Sequence, residues 1–224
     1  MSLEANKAFL KRVVLFSGLG ERQLDQLAAA SLRRSFGRGR TIVSEGESSQ
    51  SLYILLSGRA KVQRSDAEGK EVILAVLGPG ECFGEMSLID DAPRSASVIT
   101  LESSDFMAIN KEAFMGVLGE NPEIAMKIMR GLVKRLREAD RKIETLALLD
   151  VYGRVARVLL DFAEDIKGQK VIRGRLPRQE IAKMIGASRE MVSRVMKGLE
   201  KEGYIATDDE GRLVLREKLS SYLQ

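Results

Sequence analysis

Histidine and tryptophan are missing from this 224-residue chain, and cysteine occurs once, at Cys82. Without histidine there is no His-based catalytic triad, no His-ligated haem, no HExxH zinc site and no two-His iron site. A single cysteine cannot close an intramolecular disulfide and cannot alone hold an iron–sulfur cluster. No apolar run approaches the ~20 residues of a membrane span. Met1 to Lys11 lacks the continuous apolar core of a secretion signal. These absences lead to the expectation of a soluble, reduced, cytoplasmic protein with no metal site, no resident cofactor and no membrane partner. A carboxylate-only metal site built from Glu85, Asp90 and Asp91 is the remaining route to an enzyme such as a nucleotide phosphodiesterase, and it is not expected. What is present is 44% apolar residues, enough for a real core in one large or two small domains.

The formal charge of +4 is unevenly placed. Residues 1–150 hold 21 basic and 21 acidic side chains, and residues 151–224 hold 15 and 11. Between Lys170 and Lys201 the balance is 9 basic to 3 acidic, which suits a polyanionic partner.

The texture of the chain changes twice. Residues 4–35 read as helical, from Phe9, Val13 and Phe16 and then Leu24, Leu27 and Leu32. From Phe36 to about Ile109, short apolar runs alternate with glycine: Thr41–Val43, Leu52–Leu56, Ala60–Gln63, Val72–Leu77, Ala96–Thr100 and Phe106–Ile109. Such spacing indicates an antiparallel barrel or sandwich, with a hairpin loop at Asp66–Gly69. After Asn110 the helical period returns. Asn121-Pro122-Glu123 is a helix start, with Asn as N-cap and Pro at the first helical position. Met129, Leu132, Leu136, Ala139, Ile143 and Leu146 then follow alternating steps of three and four, the seam of a paired helix, so a homodimer is expected. A second helix is expected over about Val151 to Ile166, closed by Lys167-Gly168-Gln169.

Two constellations carry chemistry. In the first, Arg178-Gln179-Glu180 opens a short helix, Gly186-Ala187 turns the chain, and Ser188 caps a second helix running through Arg189, Glu190, Ser193, Arg194 and Lys197. Two short helices across a tight glycine turn form a helix-turn-helix. Arg189 and Arg194 can donate bidentately to guanine O6 and N7, and Glu190 can accept from cytosine N4. Arg178 and Lys197 suit backbone phosphates, as do the amides at the Ser188 end of the helix. A hairpin flanking Thr207–Gly211 follows, making the motif winged; its acidic tip is a poor phosphate contact.

The second constellation is Gly84-Glu85-Met86-Ser87-Leu88 with Pro93-Arg94-Ser95-Ala96. Glycine allows close backbone approach. A buried Arg beside Ser offers a guanidinium fork and a hydroxyl to one phosphate, and a carboxylate can accept from a ribose hydroxyl. The alternative is a plain Glu85–Arg94 ion pair with no ligand.

Taken together, these features resemble the CRP/FNR superfamily of bacterial transcription regulators over essentially the full length, most closely its cAMP receptor protein branch. The glycine-punctuated roll, Gly84-Glu85 with Arg94-Ser95, the seam helix, Leu149-Asp150-Val151-Tyr152-Gly153-Arg154-Val155-Ala156, and Arg178-Gln179-Glu180 with Ser188-Arg189-Glu190 carry the likeness. The resemblance implies an α+β chain: a jelly-roll-like cyclic-nucleotide-binding domain over 1–120, a dimerisation helix and hinge over 121–148, and a winged helix-turn-helix over 149–224. It implies that Arg94 and Ser95 bind a cyclic phosphate, Glu85 a ribose 2′-hydroxyl, and that Gly84, Met86 and Ser87 line the same site. It implies base readout of a palindromic TGTGA-like site by Arg189, Glu190 and Arg194, and a phosphate contact by Arg178, with RNA polymerase as a further partner. The haem and iron–sulfur branches need ligands that this chain lacks.

One departure stands out. The cAMP branch places a Thr-Ser pair on the long helix against adenine, where this chain has Ala139 and Asp140. The resemblance implies cAMP as the effector, but an Asp carboxylate, which can accept from adenine N6, matches the N1–H and N2–H2 edge of guanine better, so cyclic di-GMP or cGMP are the alternatives. Asp140 can also simply pair with Arg137 or Arg141. The competing functional expectation is a constitutive DNA-binding regulator whose roll binds no nucleotide.

Overall fold

A computed structural model describes residues 3–166, 168–173 and 176–223. The chain divides into two compact units, residues 1–134 and 135–224, each treated separately below. Among the described residues, no helix is long and apolar enough to cross a membrane.

The first unit opens with α1 (Leu3–Leu10), a 3-10 turn (Val14–Phe16) and α2 (Glu21–Ala29). Eight strands follow: β1 (Ser31–Phe36), β2 (Thr41–Val43), β3 (Ser51–Ser57), β4 (Ala60–Ser65), β5 (Glu71–Leu77), β6 (Cys82–Phe83), then β7 (Ser97–Thr100) and β8 (Ser104–Asn110) after the short α3 (Glu85–Ile89). They form two antiparallel four-stranded sheets, ordered β1-β8-β3-β6 and β2-β7-β4-β5. The expected all-β roll is therefore present. The β4–β5 hairpin lies where its turn signal stood, with Asp66 Oδ1 accepting from the amides of Glu68 and Lys70.

Strand alternation explains how one sheet serves two cores. Side chains of successive strand residues point to opposite faces. On β3, Tyr53 and Leu55 join Val43, Ala60, Leu77, Phe83, Val98 and Phe106 in one buried cluster. Leu52 and Ile54 join Met107, Ile109, Leu24, Leu27, Phe114 and Ile124 in the other, under α2, α4 (Lys111–Glu120) and the start of α5 (Pro122–Leu148). Each fully buried aliphatic or aromatic side chain there contributes about 1.5–3 kcal/mol.

Three local expectations need correction. Helix does not run to residue 35: it stops at Ala29, where Ser31 Oγ donates to Ala28 O at 2.8 Å, and Ser31–Phe36 pairs with β8 in register from Ser31↔Ile109 to Phe36↔Ser104. Backbone pairing with a distant strand outweighs the helical spacing of Leu27 and Leu32. Asn121 does precede α5, but its side chain does not cap it. Its Oδ1 accepts from Gln23 and its Nδ2 donates to Val117 O, while its backbone carbonyl accepts from Ile124 N. The second helix, α6 (Val151–Phe162), is shorter than expected, because Glu164–Ile166 is β9, paired with β10 (Gln169–Ile172). Asp165 Oδ1 accepts from Gly168 N in that turn; Lys167 lies outside the described residues.

The second unit holds the remainder of α5, α6, the β9–β10 hairpin, α7 (Arg178–Ile185), α8 (Arg189–Lys201), β11 (Ile205–Thr207) and β12 (Leu213–Leu215). Its sheet order is β11-β12-β10-β9. Val155 and Leu159 from α6, Ile181 and Ile185 from α7, and Val192, Val195 and Leu199 from α8 form one core. A final 3-10 segment, Glu217–Leu223, packs on α6, where Tyr222 stacks on Tyr152 at 5.8 Å.

Candidate functional site

In the first unit the focus is Arg94, 3% exposed. Its backbone is pinned on both sides: Arg94 N donates to Glu47 O, and Gly46 N donates to Arg94 O. Its guanidinium donates from Nη1 to Gly84 O at 2.7 Å, and from Nη2 to Ser49 Oγ at 2.6 Å and Ser51 O at 2.5 Å. The Tyr53 ring lies beneath it at 6.0 Å and is itself stacked on Phe83. The guanidinium's acceptors are neutral oxygens, so the ion pair with Glu85 is not the arrangement found; Glu85, 6% exposed, acts on the guanidinium through space. Burial pushes Arg94 below its ordinary pKa, and Tyr53 and then Glu85 pull against that shift. Buried Nε has no hydrogen-bond partner. A buried cation held by dipoles rather than a carboxylate leaves its charge available to an anion.

Gly84 is required here twice over. Its φ is +88°, and a Cβ at this position would collide with the Arg94 guanidinium. The expected cradle of Gly84, Glu85 and Arg94 is thus brought together. Ser87 is buried in α3, whereas Met86 and Ser95 are exposed beside it. Ala139 and Asp140 belong to the second unit, both exposed on α5.

Ser49, Ser51 and Tyr53 complete the surroundings of the guanidinium. They lie 41–45 residues before Arg94, and nothing local marks them; only the pairing of β3 beside the Gly84 turn brings them to the guanidinium.

In the second unit, Gly186 ends α7 with φ +65° and its amide donates to Ala182 O. Ser188 then caps α8, its Oγ accepting from Met191 N at 3.1 Å. Arg154 of α6 donates to Ile185 O at 3.1 Å, tying the end of α7 to α6. Val192, Val195, Met196 and Leu199 face inward. Arg189, Glu190, Arg194 and Lys197 face out, exposed, with no ion pair among the described residues; Gln179 and Ser188 are exposed, and Arg178 and Ser193 half-buried. The wing is β11–β12, in register from Ile205↔Leu215 to Thr207↔Leu213, with Arg212 paired to Asp208 and Glu210 at its tip. The wing's arginine is thereby neutralised.

A roll with a buried arginine cradle, joined in one chain to a winged helix-turn-helix, defines an effector-controlled DNA-binding regulator. A family model described as "Cyclic nucleotide-binding domain" matches residues 33–121, and "Crp-like helix-turn-helix domain" matches 153–222. The chain is similar to the "Cyclic AMP receptor protein" of Thermus thermophilus, 35% identical over 88% of this chain and 89% of the other. It is similar to the "CRP-like cAMP-activated global transcriptional regulator" of Mycobacterium tuberculosis, 33% identical over 92% and 93%. The solved c-di-GMP-responsive regulator CLP of Xanthomonas campestris matches with a TM-score of 0.73 at 29% identity, over 88% of this chain and 99% of that one. The chain belongs to the CRP/FNR family: it is a cyclic-nucleotide-responsive transcription regulator, as its named relatives are transcription regulators.

Proposed function

We propose that this regulator is a cytoplasmic homodimer that binds cAMP through Gly84, Glu85, Met86, Ser87, Arg94 and Ser95, and in response binds a palindromic TGTGA-like DNA site. The observation that carries the effector reading is the buried Arg94 guanidinium on three neutral oxygens. cAMP is supported by the names of relatives 33–37% identical to this chain. Cyclic di-GMP is the second reading, supported by the name of one structural relative and by Asp140, whose carboxylate matches a guanine edge.

Dimerisation by a second copy of α5 is supported by its exposed apolar row. Leu136 is 62% exposed, Ile143 65% and Leu146 50%, at the 3.5-residue period of a coiled coil. The working division is an effector domain over 1–120, dimerisation helix and hinge over 121–148, and DNA-binding domain over 149–224. Arg189, Glu190 and Arg194 read base edges; Arg178, Gln179, Ser188, Ser193 and Lys197 position the helix on the backbone, and RNA polymerase is the downstream partner. A shift from mostly inactive to mostly active takes roughly 5.5 kcal/mol of differential affinity.

Calorimetry with cAMP, cGMP and cyclic di-GMP, on the wild type and on Asp140→Ser, tests the effector. A cAMP response in both proteins, with none to guanine nucleotides, removes the Asp140 argument. No heat with any of the three, together with a nucleotide-independent footprint, establishes a constitutive regulator instead.

A further inference from the structure

Tyrosines from three segments of the winged unit meet at the C-terminal end of α8. Tyr152, the second residue of α6, stacks on Tyr222 of the terminal 3-10 segment, with ring centroids 5.8 Å apart and planes inclined by 22°. Tyr204, between α8 and β11, stands edge-on to Tyr222 at 5.1 Å. The Tyr222 hydroxyl donates to Glu202, the C-terminal cap of α8, at 3.4 Å. Fully buried Leu219 anchors the terminal segment in the core of the unit, and Arg216 N donates to Tyr204 O at 2.9 Å. The Tyr152 ring is thus braced by a second ring that is itself held in place.

Two helical glycines take the close approaches that this cluster creates. A Cβ on Gly153 of α6 would lie 2.8 Å from Tyr222 O, and one on Gly198 of α8 would lie 2.9 Å from the Tyr152 hydroxyl. Gly116, Gly119 and Gly131, also inside helices, have open space at the same point. Glycine weakens a helix interior relative to alanine. Gly198 does not have a left-handed φ, and its carbonyl accepts from Glu202 N at 3.0 Å, so backbone conformation does not call for it. Room for the tyrosine does. The next ring atoms would lie 3.4 and 3.5 Å from that Cβ, an ordinary contact, so the hydroxyl alone makes the collision.

We propose that Tyr152 is a positioning residue for DNA readout: its hydroxyl end, seated on Gly198, fixes how closely the C-terminal half of α8 lies against α6, and so the angle at which Arg189 and Arg194 are presented. This rests on the reading of α8 as the base-contacting helix. The apolar contacts that Val192, Val195 and Leu199 share with Val155 and Leu159 are non-directional and do not by themselves fix the tilt of α8. A braced ring against a bare Cα does. Gly198 lies about 13.5 Å along the helix from Arg189 at 1.5 Å per residue, so a wedge there moves the arginines by tilting a rigid rod. Bidentate donation to a base edge survives displacements of only about 0.5 Å.

The test is a double-mutant cycle on the full-length protein: wild type, Gly198→Ala, Tyr152→Phe and the pair together. Fluorescence anisotropy measures binding to the duplex recovered by selection on the wild type, to single-base variants of it and to unrelated duplex, under the nucleotide condition of the selection. Circular dichroism confirms that each protein is folded. Gly198→Ala should bind the selected duplex about tenfold more weakly, with narrowed discrimination at the arginine-read positions and unrelated duplex bound as before. Tyr152→Phe should stay within about twofold of the wild type. Adding Tyr152→Phe to Gly198→Ala removes the colliding hydroxyl and should restore both affinity and discrimination. Wild-type binding by Gly198→Ala, a loss that the second substitution leaves unrelieved, or an equal loss on selected and unrelated duplexes each overturns the proposal. Arg189→Ala on the same panel keeps this apart from the reading beneath it. A uniform loss for Arg189→Ala with a rescued cycle removes Arg189 as base reader and upholds the seat, whereas a loss at one base position with an unrescued cycle removes the seat alone.

Discussion

The chain places arginine in two opposite settings. Arg94 is buried in the roll, its guanidinium spread over three neutral oxygens, whereas Arg189 and Arg194 stand on α8 in open solvent with no ion pair among the described residues. The buried group has given up hydration and is held in one orientation; it can select a single small anion by geometry. The exposed ones keep their hydration and rotamer freedom, and they acquire a fixed geometry only against a groove. The first arrangement suits a sensor of one molecule, and the second suits a reader of an extended surface. Their supports differ in the same way. Arg94 depends on residues from three separate segments, while Arg189 depends on a cap one residue before it.

Substitutions break this contrast in graded fashion. Arg94→Leu removes the cation, and cyclic-nucleotide affinity should fall about 100-fold or more, as expected when charged hydrogen bonds worth roughly 1.5–3 kcal/mol each are removed. Calorimetry reads this, with circular dichroism confirming a folded roll; unchanged nucleotide-dependent DNA binding would remove Arg94 from the site. Gly84→Ala keeps the cation but strains it. A left-handed φ and a collision with the guanidinium should lower the stability of the roll by about 1–3 kcal/mol in urea melts, with weaker nucleotide binding, and should leave the winged unit intact.

On the DNA side, Arg189→Ala should cost about 1–3 kcal/mol and relax preference at one base position, whereas Arg178→Ala should weaken all sequences alike. Binding to a panel of single-base site variants separates the two; a uniform loss for Arg189→Ala contradicts its role. The smallest effect belongs to Ser188→Ala, which removes a helix cap worth about 1 kcal/mol. It should lower the melting temperature of the winged unit slightly, and no change would mean that water replaces the Oγ.

The two regions also differ in how openly the sequence displays them. The helix-turn-helix is written in consecutive residues: the αL glycine at 186, the cap at Ser188 and the inward set Val192, Val195, Met196 and Leu199. These are local rules of backbone conformation and helical period, and neighbouring residues suffice to state them. The strands of the roll are visible as apolar runs punctuated by glycine, because strand burial leaves a short-range trace. Ser31–Phe36 reads wrongly as helix because its partner, β8, lies about 70 residues away, and helical spacing is the only local guide. Glu164–Ile166 escapes for a related reason: three residues bear no period of their own, and their state is set by pairing with β10.

By itself, the sequence determined the absence of histidine and of a second cysteine, which leaves no His ligand for a haem and no cysteine set for an iron–sulfur cluster. It also placed the whole positive excess in residues 151–224, the last third of the chain, and put Gly84, Glu85 and Arg94 within one short stretch. Only the tertiary structure decided how the Arg94 charge is held. A carboxylate was at hand in Glu85, yet the guanidinium is satisfied by Ser49, Ser51 and Gly84, because β3 and the turn beside it deliver their oxygens within 2.5–2.7 Å. Chemical type is a property of the residue, but the partner of a buried charge is chosen by strand pairing between segments that no local pattern connects.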